Sequence, residues 1–237
     1  MAPGASTLKF LVTPAAKKHT ATVIFVHGLG DTGHGWKPVA DMFQRESSLG
    51  HIKWVLPHSP SIAVTANMGA VMPSWFDIKS FGFKDAEDEA GMLKNKNAIV
   101  QLIEAEVAAG IQPNRIVLGG FSQGGAMSLL TGLTLEPQIA GIVCLSGWVP
   151  IRSTVQNNLT SNATKLPIFW GHGSSDPLVK PKLAEESVDF LRNVGISVVK
   201  PGELAGLSYN VYPGVGHSTN TQELEDLKTW IAKVIAE

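Results

Sequence analysis

The chain has 237 residues, of which 44% are hydrophobic and 16% charged, and its formal net charge at pH 7 is -1. This composition supports a large hydrophobic core, argues against disorder and gives no basic surface for nucleic acid. Cys144 is the only cysteine, which excludes an intrachain disulfide and a cysteine-based zinc site, and its apolar neighbours predict an inert core thiol. The length suits one α/β domain over residues 1–237.

No targeting or membrane-spanning signal is evident in the sequence. Residues 1–5 lack a charged stretch followed by an apolar one, so we expect no signal peptide. No run approaches the roughly 18 apolar residues that span a bilayer. The expected location is the cytoplasm, with access to the nucleus.

Strand-like runs alternate with helical patterns along the chain. The predicted strands are residues 22–26, 53–56, 116–118, 141–145, 167–170 and 210–212. The predicted helices are residues 86–109, 124–133, 182–193 and 221–236. Several strands are continuously apolar, which is typical of strands covered on both faces. The alternation predicts an α/β fold, with a mostly parallel twisted sheet and helices on both faces.

One long segment, residues 57–84, has no helical period and contains three prolines and two glycines. A loop of this length in a compact domain is usually functional. We therefore predict an irregular, flap-like region here.

The sequence Gly-Phe-Ser-Gln-Gly at residues 120–124 matches the G-x-S-x-G motif. A predicted strand precedes it and a helical stretch follows it, which is the context of a nucleophile elbow. The glycines permit a tight, strained turn that presents the Ser122 hydroxyl at a helix N-terminus. The motif alone fits a glycine-rich turn without a catalytic role equally well. A base and an acid that could act with Ser122 must therefore be found elsewhere in the sequence.

A serine nucleophile needs a histidine base, and in this fold the order along the chain is serine, acid, histidine. His172 and His217 lie downstream. Only Glu136, at a predicted helix end, lies between Ser122 and His172. His217 occupies the turn between the last predicted strand and helix, where catalytic groups concentrate, so we assign it as the base.

The acid is assigned to Asp176, in the loop after the strand at residues 167–170. Asp189 and Glu185 also satisfy the order, but both fall in an amphipathic helix. Asp176 could instead cap an Asx turn before Pro177, and His217 could be an ordinary loop histidine. His172 is then expected to support the Asp176 loop.

An oxyanion hole needs two donors, for which we predict the backbone N–H groups of Gln123 and Leu29. Leu29 lies in residues 27–31, a glycine-containing loop after the first predicted strand. Such donors stabilise an oxyanion by roughly 3 kcal/mol each. Two alternatives for this loop are a phosphate-binding glycine loop and a metal site using His27, Asp31 and His34.

Residues 27–36, 73–77, 119–125 and 171–179 together resemble the acyl-protein thioesterase/lysophospholipase family of α/β-hydrolases, in order and over essentially the whole chain. The resemblance implies removal of palmitoyl groups from protein cysteines and activity on lysophospholipids and simple esters. It implies the same nucleophile, acid, base and oxyanion donors as the spacing does. No metal or organic cofactor is required.

In the resembling family the flap-like segment helps to form an acyl groove. Groove residues are predicted at Met68, Val71, Met72, Trp75, Phe76, Ile78 and Phe81, with Leu29, Trp148 and Leu178 joining them. The alternative is a satellite core beneath a long loop. The expected partners are S-acylated proteins or lysolipids, with transient membrane-surface contact, and the expected state is a monomer or weak dimer.

Two features depart from the family pattern. Residues 1–4 read Met-Ala-Pro-Gly and lack the acylated cysteine often found near the N-terminus, so that anchor is not expected. Residues 200–206 look longer than the pattern and predict a surface loop near His217. Two other functions remain open: a small-molecule carboxylesterase or lysophospholipase without a protein substrate, and an inactive hydrolase fold used for binding.

Overall fold

The computed structural model describes residues 8–82, 86–200 and 203–237. The expectation about the N-terminal cysteine lies outside these ranges. So do residues 201–202 of the predicted surface loop and the last two residues of the segment 57–84.

A mostly parallel eight-stranded sheet is surrounded by helices. The strands of this sheet are β1 (Phe10–Thr13), β2 (Ala21–Val26), β3 (Ile52–Pro57), β6 (Ile116–Phe121), β7 (Gly141–Leu145), β8 (Ile168–Gly173), β9 (Val198–Val199) and β10 (Leu207–Tyr212). Two further strands, β4 (Ser61–Val64) and β5 (Ala70–Pro73), form a separate hairpin. The helices are α1 (Gly33–Gln44), α2 (Glu89–Ala108), α3 (Gln123–Leu133), α4 (Arg152–Asn157), α5 (Pro181–Asn193) and α6 (Thr221–Val234). The sheet order is β1-β3-β2-β6-β7-β8-β10-β9, and β1 is its antiparallel strand. This arrangement confirms the predicted fold class.

Two hydrophobic layers cover the two faces of the sheet. Every residue of β2 is buried, and its side chains alternate between the layers: Ile24 and Val26 enter one, Val23 and Phe25 the other. The first layer includes side chains of α2, α3 and α5, and the second includes side chains of α1 and α6. A strand covered on both faces must be apolar throughout, which explains the continuous runs in the sequence.

Several elements differ from the predictions because long-range pairing decides them. β8 continues to Gly173, three residues beyond the predicted end, because it pairs with β10 up to Tyr212. The helix predicted from residue 86 begins at Glu89, since the Asp88 side chain accepts a hydrogen bond from the Gly91 N–H. The elements β1, α1, α4 and β9 were not predicted. The sequence of α1 contains two glycines and a proline, which have low helix propensity, so no helix is predicted there.

The segment 57–84 is more ordered than the predicted irregular loop. It contains a hairpin, in which β4 and β5 pair antiparallel. Met68 and Gly69 make the turn with positive φ angles of 55° and 77°, and the Met68 side chain is almost fully exposed. The Ser74 N–H donates to the Pro60 carbonyl and closes the base of this hairpin. Short alternation in β4 and β5 is too weak a sequence signal to reveal the pairing.

Among the described residues, no helix is both long enough and apolar enough to cross a membrane.

Candidate active site

Ser122 occupies a strained turn between β6 and α3. Its backbone has φ 54° and ψ -117°, a conformation that costs a non-glycine residue about 1–3 kcal/mol. The Ser122 N–H donates to the Leu145 carbonyl at 2.7 Å, which holds the turn against β7. A β-carbon at Gly120 would lie 2.4 Å from the backbone of Gly124, and one at Gly124 would lie 2.0 Å from the Val26 oxygen. Close packing therefore demands glycine on both sides of the serine.

A continuous chain of hydrogen bonds joins Asp176, His217 and Ser122. The His217 Nδ1 atom lies 2.7 Å from Asp176 Oδ2, and its Nε2 atom lies 2.9 Å from the Ser122 Oγ atom. Because an ionised carboxylate only accepts, the imidazole proton belongs on Nδ1. Nε2 is then left free to accept the serine proton. The strand ends of β6, β8 and β10 bring these three residues together from distant parts of the sequence.

The Asp176 side chain is fully buried, and both of its oxygens are occupied. Oδ1 accepts from the backbone N–H groups of Leu178 and Val179, each at 2.9 Å, and Oδ2 faces His217. Asp176 does make the Asx-type turn that its position before Pro177 indicates. The same side chain nevertheless orients the histidine, so the two interpretations are compatible.

The other acids and histidines considered from the sequence lie elsewhere. His172 is fully buried, with Nε2 2.8 Å from the Val179 carbonyl oxygen and 3.8 Å from Asp176 Oδ2. It therefore supports the turn around the acid. Burial is the main cause that lowers the pKa of His172, which favours a neutral ring. Glu185 and Asp189 are exposed on α5, and Asp189 pairs with Arg192 at 2.6 Å.

The loop with Leu29 lies directly against the elbow. A β-carbon at Gly28 would be 3.4 Å from the Ser122 Cβ atom. The Gly30 N–H donates to the Pro73 carbonyl at 2.8 Å, which ties this loop to the hairpin. Among the residues that the structure describes, neither the Leu29 nor the Gln123 amide donates a backbone hydrogen bond. Both are therefore available as donors beside the serine.

Gln123 has a second role that the sequence did not reveal. Its side chain is fully buried, and its Oε1 atom accepts from the Trp75 N–H at 2.9 Å. Its Nε2 atom donates to the Phe76 carbonyl at 2.7 Å and to the Ser74 hydroxyl at 2.9 Å. The amide thus joins the hairpin base to the elbow. The sequence signal for this role is Gln123 itself, a large polar side chain at the start of a helix whose other residues are apolar or small.

The residues predicted to form an acyl groove fall into two groups. Trp75, Phe76, Ile78 and Trp148 are buried in the larger hydrophobic layer, where Phe76 and Trp148 pack edge to face at 6.0 Å. Met68, Val71 and Leu178 are exposed, and Met72 is partly buried.

An open cleft lies beside the turn that contains the acid. Phe81, Leu178 and Leu183 line it, together with Lys180, Lys182, Glu186 and Gly82. A smaller pocket nearby is lined in part by Phe76, Ile78 and Trp148, which belong to the buried group. The apolar surface near the acid is thus shared between buried side chains and exposed ones.

The described residues bear on the metal site considered for the glycine loop. Within residues 8–82, 86–200 and 203–237, no group of three or more histidine, cysteine, aspartate or glutamate side chains could hold a metal ion. His27 Nε2 instead accepts a hydrogen bond from the Ser59 N–H, and Asp31 Oδ1 accepts one from the Thr32 N–H. Cys144 is fully buried, and burial raises the pKa of its thiol far above the ordinary value.

Comparisons with known proteins agree over nearly the whole chain. A family profile described as Phospholipase/Carboxylesterase matches residues 8–235. An acyl-protein thioesterase 1 from Cryptococcus neoformans is 46% identical, over 97% of this chain and 99% of the relative. The crystal structure of Arabidopsis thaliana SOBER1 superposes with a TM-score of 0.83 at 33% identity, covering 91% of this chain and 99% of that one. Zea mays acyl-protein thioesterase 2 gives a TM-score of 0.82 at 25% identity, covering 96% and 99%.

Proposed function

The chain belongs to the phospholipase/carboxylesterase family of α/β-hydrolases, and from this premise we propose that it is a serine hydrolase of long-chain acyl thioesters. The substrates are palmitoyl-cysteine groups of proteins, with lysophospholipids and simple carboxylic esters as further substrates. The observation that carries the proposal is the hydrogen-bond chain from Asp176 through His217 to Ser122. The proposal treats residues 1–237 as one catalytic domain.

The reaction proceeds in two acyl-transfer steps. As the Ser122 oxygen attacks the thioester carbonyl, its proton moves to His217 Nε2. The tetrahedral intermediate collapses, the carbon–sulfur bond breaks, and the protonated His217 returns the proton to the leaving thiolate. Water then attacks the acyl-enzyme with the same proton transfers and releases the fatty acid. Asp176 stabilises the imidazolium and holds the ring in the required tautomer.

The negative charge on the carbonyl oxygen develops beside two backbone donors, the Leu29 and Gln123 N–H groups. These donors are fixed before the reaction, so no reorganisation is needed when the charge appears. The Gln123 backbone N–H is positioned by the elbow itself. The Leu29 backbone N–H is positioned by contacts of its loop with the hairpin base and the segment after β3.

The acyl chain is proposed to lie along the apolar surface next to the acid. Leu178 and Phe81 supply the exposed part, while Phe76, Ile78 and Trp148 form the apolar side of a small pocket that Asp77, Lys79 and Glu87 also line. Met68, Val71 and Met72 lie on the hairpin and would contact the substrate protein or the lipid surface from which the acyl group is presented. Trp75 acts indirectly, since it is fully buried and its indole N–H donates to the His27 carbonyl.

A second candidate is a small-molecule carboxylesterase or lysophospholipase, which the family description favours. The same triad would serve both functions, so acyl-chain preference must separate them. A palmitoylated cysteine peptide and a series of simple esters from acetyl to palmitoyl should be hydrolysed in parallel by the wild-type protein and Ser122→Ala. The proposal expects thioester cleavage that increases with chain length and falls by several orders of magnitude in Ser122→Ala.

Activity confined to short esters would assign the second function. Turnover by Ser122→Ala close to the wild-type rate would reject a serine hydrolase altogether. Labelling of Ser122 by a fluorophosphonate distinguishes either serine hydrolase from an inactive binding protein, in which Ser122 would not react.

A further inference from the structure

The loop that carries Leu29 begins at His27, whose imidazole contacts the backbone of the next residue in the same loop. His27 Nδ1 lies 2.7 Å from the Gly28 carbonyl oxygen, and Nε2 lies 3.0 Å from the Ser59 nitrogen. The Ser59 N–H can only donate, so Nε2 must be the unprotonated nitrogen. The proton of the neutral ring is therefore on Nδ1, where it donates to the Gly28 carbonyl.

That carbonyl and the Leu29 N–H belong to one peptide unit. A trans peptide is planar, and its C=O and N–H point in opposite directions. Holding the Gly28 oxygen therefore fixes the direction of the Leu29 N–H. The Asp31 N–H also donates to this oxygen, but at 3.3 Å. The His27 contact is much shorter and comes from a ring held at both nitrogens.

We propose that His27 is a positioning residue for the oxyanion hole: its Nδ1–H holds the Gly28–Leu29 peptide so that the Leu29 N–H points at the substrate oxygen. The inference rests on the proposed function, because it assumes that the Leu29 N–H serves as a donor. His27 acts through this peptide, since both of its ring nitrogens are occupied by backbone groups.

The surroundings of His27 preserve the required protonation state. The side chain is fully buried, and the Trp75 ring packs against it with centroids 5.2 Å apart. Burial is the largest cause that lowers the pKa of His27, and His58 acts in the same direction. The contact with Gly28 and the charge of Asp31 oppose this effect. A neutral ring keeps both of its hydrogen bonds, whereas a protonated one would present a donor to the Ser59 N–H.

Three substitutions separate positioning from packing. His27→Ala removes both hydrogen bonds, His27→Asn keeps a donor near the Nδ1 position, and His27→Gln keeps an acceptor near the Nε2 position. The assays are kcat and KM on a soluble aryl ester and the affinity for a trifluoromethyl ketone, which forms an oxyanion when Ser122 adds to it. In His27→Ala we expect kcat to fall about 100-fold with little change in KM, and the ketone affinity to fall by a similar factor. His27→Asn should recover most of this loss, and His27→Gln should not.

His51 supplies a matched control. It is also fully buried, and its Nε2 atom lies 2.8 Å from the Ile235 carbonyl oxygen. It precedes β3, which runs parallel to β2 and β6, so it lies at the amino-terminal end of these strands, whereas the elbow follows the carboxyl end of β6. His51→Ala should lower thermal stability without changing ketone affinity.

Equal kcat and ketone affinity in His27→Ala and His51→Ala would overturn the inference. If His27→Ala does not fold, equal values for His27→Asn and His27→Gln would overturn it. Turnover of Ser122→Ala close to the wild-type rate in the same assay would instead reject the proposed function, so the two failures are distinguishable.

Discussion

Replacing Asp176 with asparagine tests whether the acid sets the histidine tautomer. The carboxylate accepts three hydrogen bonds: two backbone N–H groups on Oδ1 and His217 on Oδ2. Asparagine has one acceptor oxygen and one donor nitrogen in the same place. Its oxygen will face the Leu178 and Val179 N–H groups, since the opposite orientation leaves the buried Val179 donor unsatisfied and the partly buried Leu178 donor without its partner. The buried donor alone disfavours the opposite orientation by about 1–3 kcal/mol.

In the preferred orientation the asparagine NH₂ donates to His217 Nδ1. The ring proton must then move to Nε2, which can no longer accept the proton of Ser122. The same exchange of tautomer lowers kcat by about 10⁴-fold in a comparable triad, equivalent to about 5 kcal/mol. We expect a loss of this size in Asp176→Asn, with thermal stability nearly unchanged because the turn keeps its hydrogen bonds.

The assay is steady-state hydrolysis of a soluble ester, with thermal unfolding measured on the same preparation. Asp189→Asn is the matched control, because that exposed carboxylate on α5 has no contact with the triad. A kcat for Asp176→Asn within tenfold of the wild type would refute the tautomer argument. So would an equal loss in the Asp189 variant.

Three further predictions concern packing, titration and substrate choice. Gly124→Ala places a methyl group 2.0 Å from the Val26 carbonyl oxygen, so urea titrations should show a free energy of unfolding lower by at least about 1–3 kcal/mol. Gly82→Ala is the control, because the atom nearest to its methyl group is 3.8 Å away, and it should leave the free energy of unfolding nearly unchanged. Burial raises the pKa of Glu223 from 4.5 to about 8, so the folded chain retains a proton that the unfolded chain releases. Stability should therefore fall as pH rises from about 4.5 to 8, and the wild-type curve minus that of Glu223→Gln should show this slope, whereas parallel curves would refute it. Leu178→Ala should lower kcat/KM about tenfold for palmitoyl esters and little for acetyl esters, and equal effects on both would place the acyl chain elsewhere.

The three residues of the proposed triad stand out in the sequence because each lies in a local context that such chemistry requires. Ser122 is marked by the glycines of a strained turn, and the structure shows β-carbons at those glycines colliding with backbone. His217 and Asp176 are marked by their order and by their positions after strands. Their catalytic roles remain predictions, although the hydrogen-bond distances bring all three side chains together as proposed.

The remaining features depend on contacts between distant segments. The extension of β8 follows from its pairing with β10, about 40 residues later, and no local pattern marks it. The hairpin of β4 and β5 is held by pairing within a segment whose prolines and glycines indicate loop. The link from the Gln123 side chain to residues 74–76 spans almost 50 positions. Trp75 and Phe76 are buried beside that link, and no local pattern in the sequence marks them as buried.

The most direct test is to identify the residue that carries the acyl group during turnover. The protein is mixed with a palmitoyl thioester peptide, quenched in acid within the first turnovers and digested for mass spectrometry. The account predicts a palmitoyl group on the peptide that contains Ser122, and none on that peptide in Ser122→Ala. Steady thioester turnover with no acylated Ser122, or with the acyl group on another residue, would contradict it.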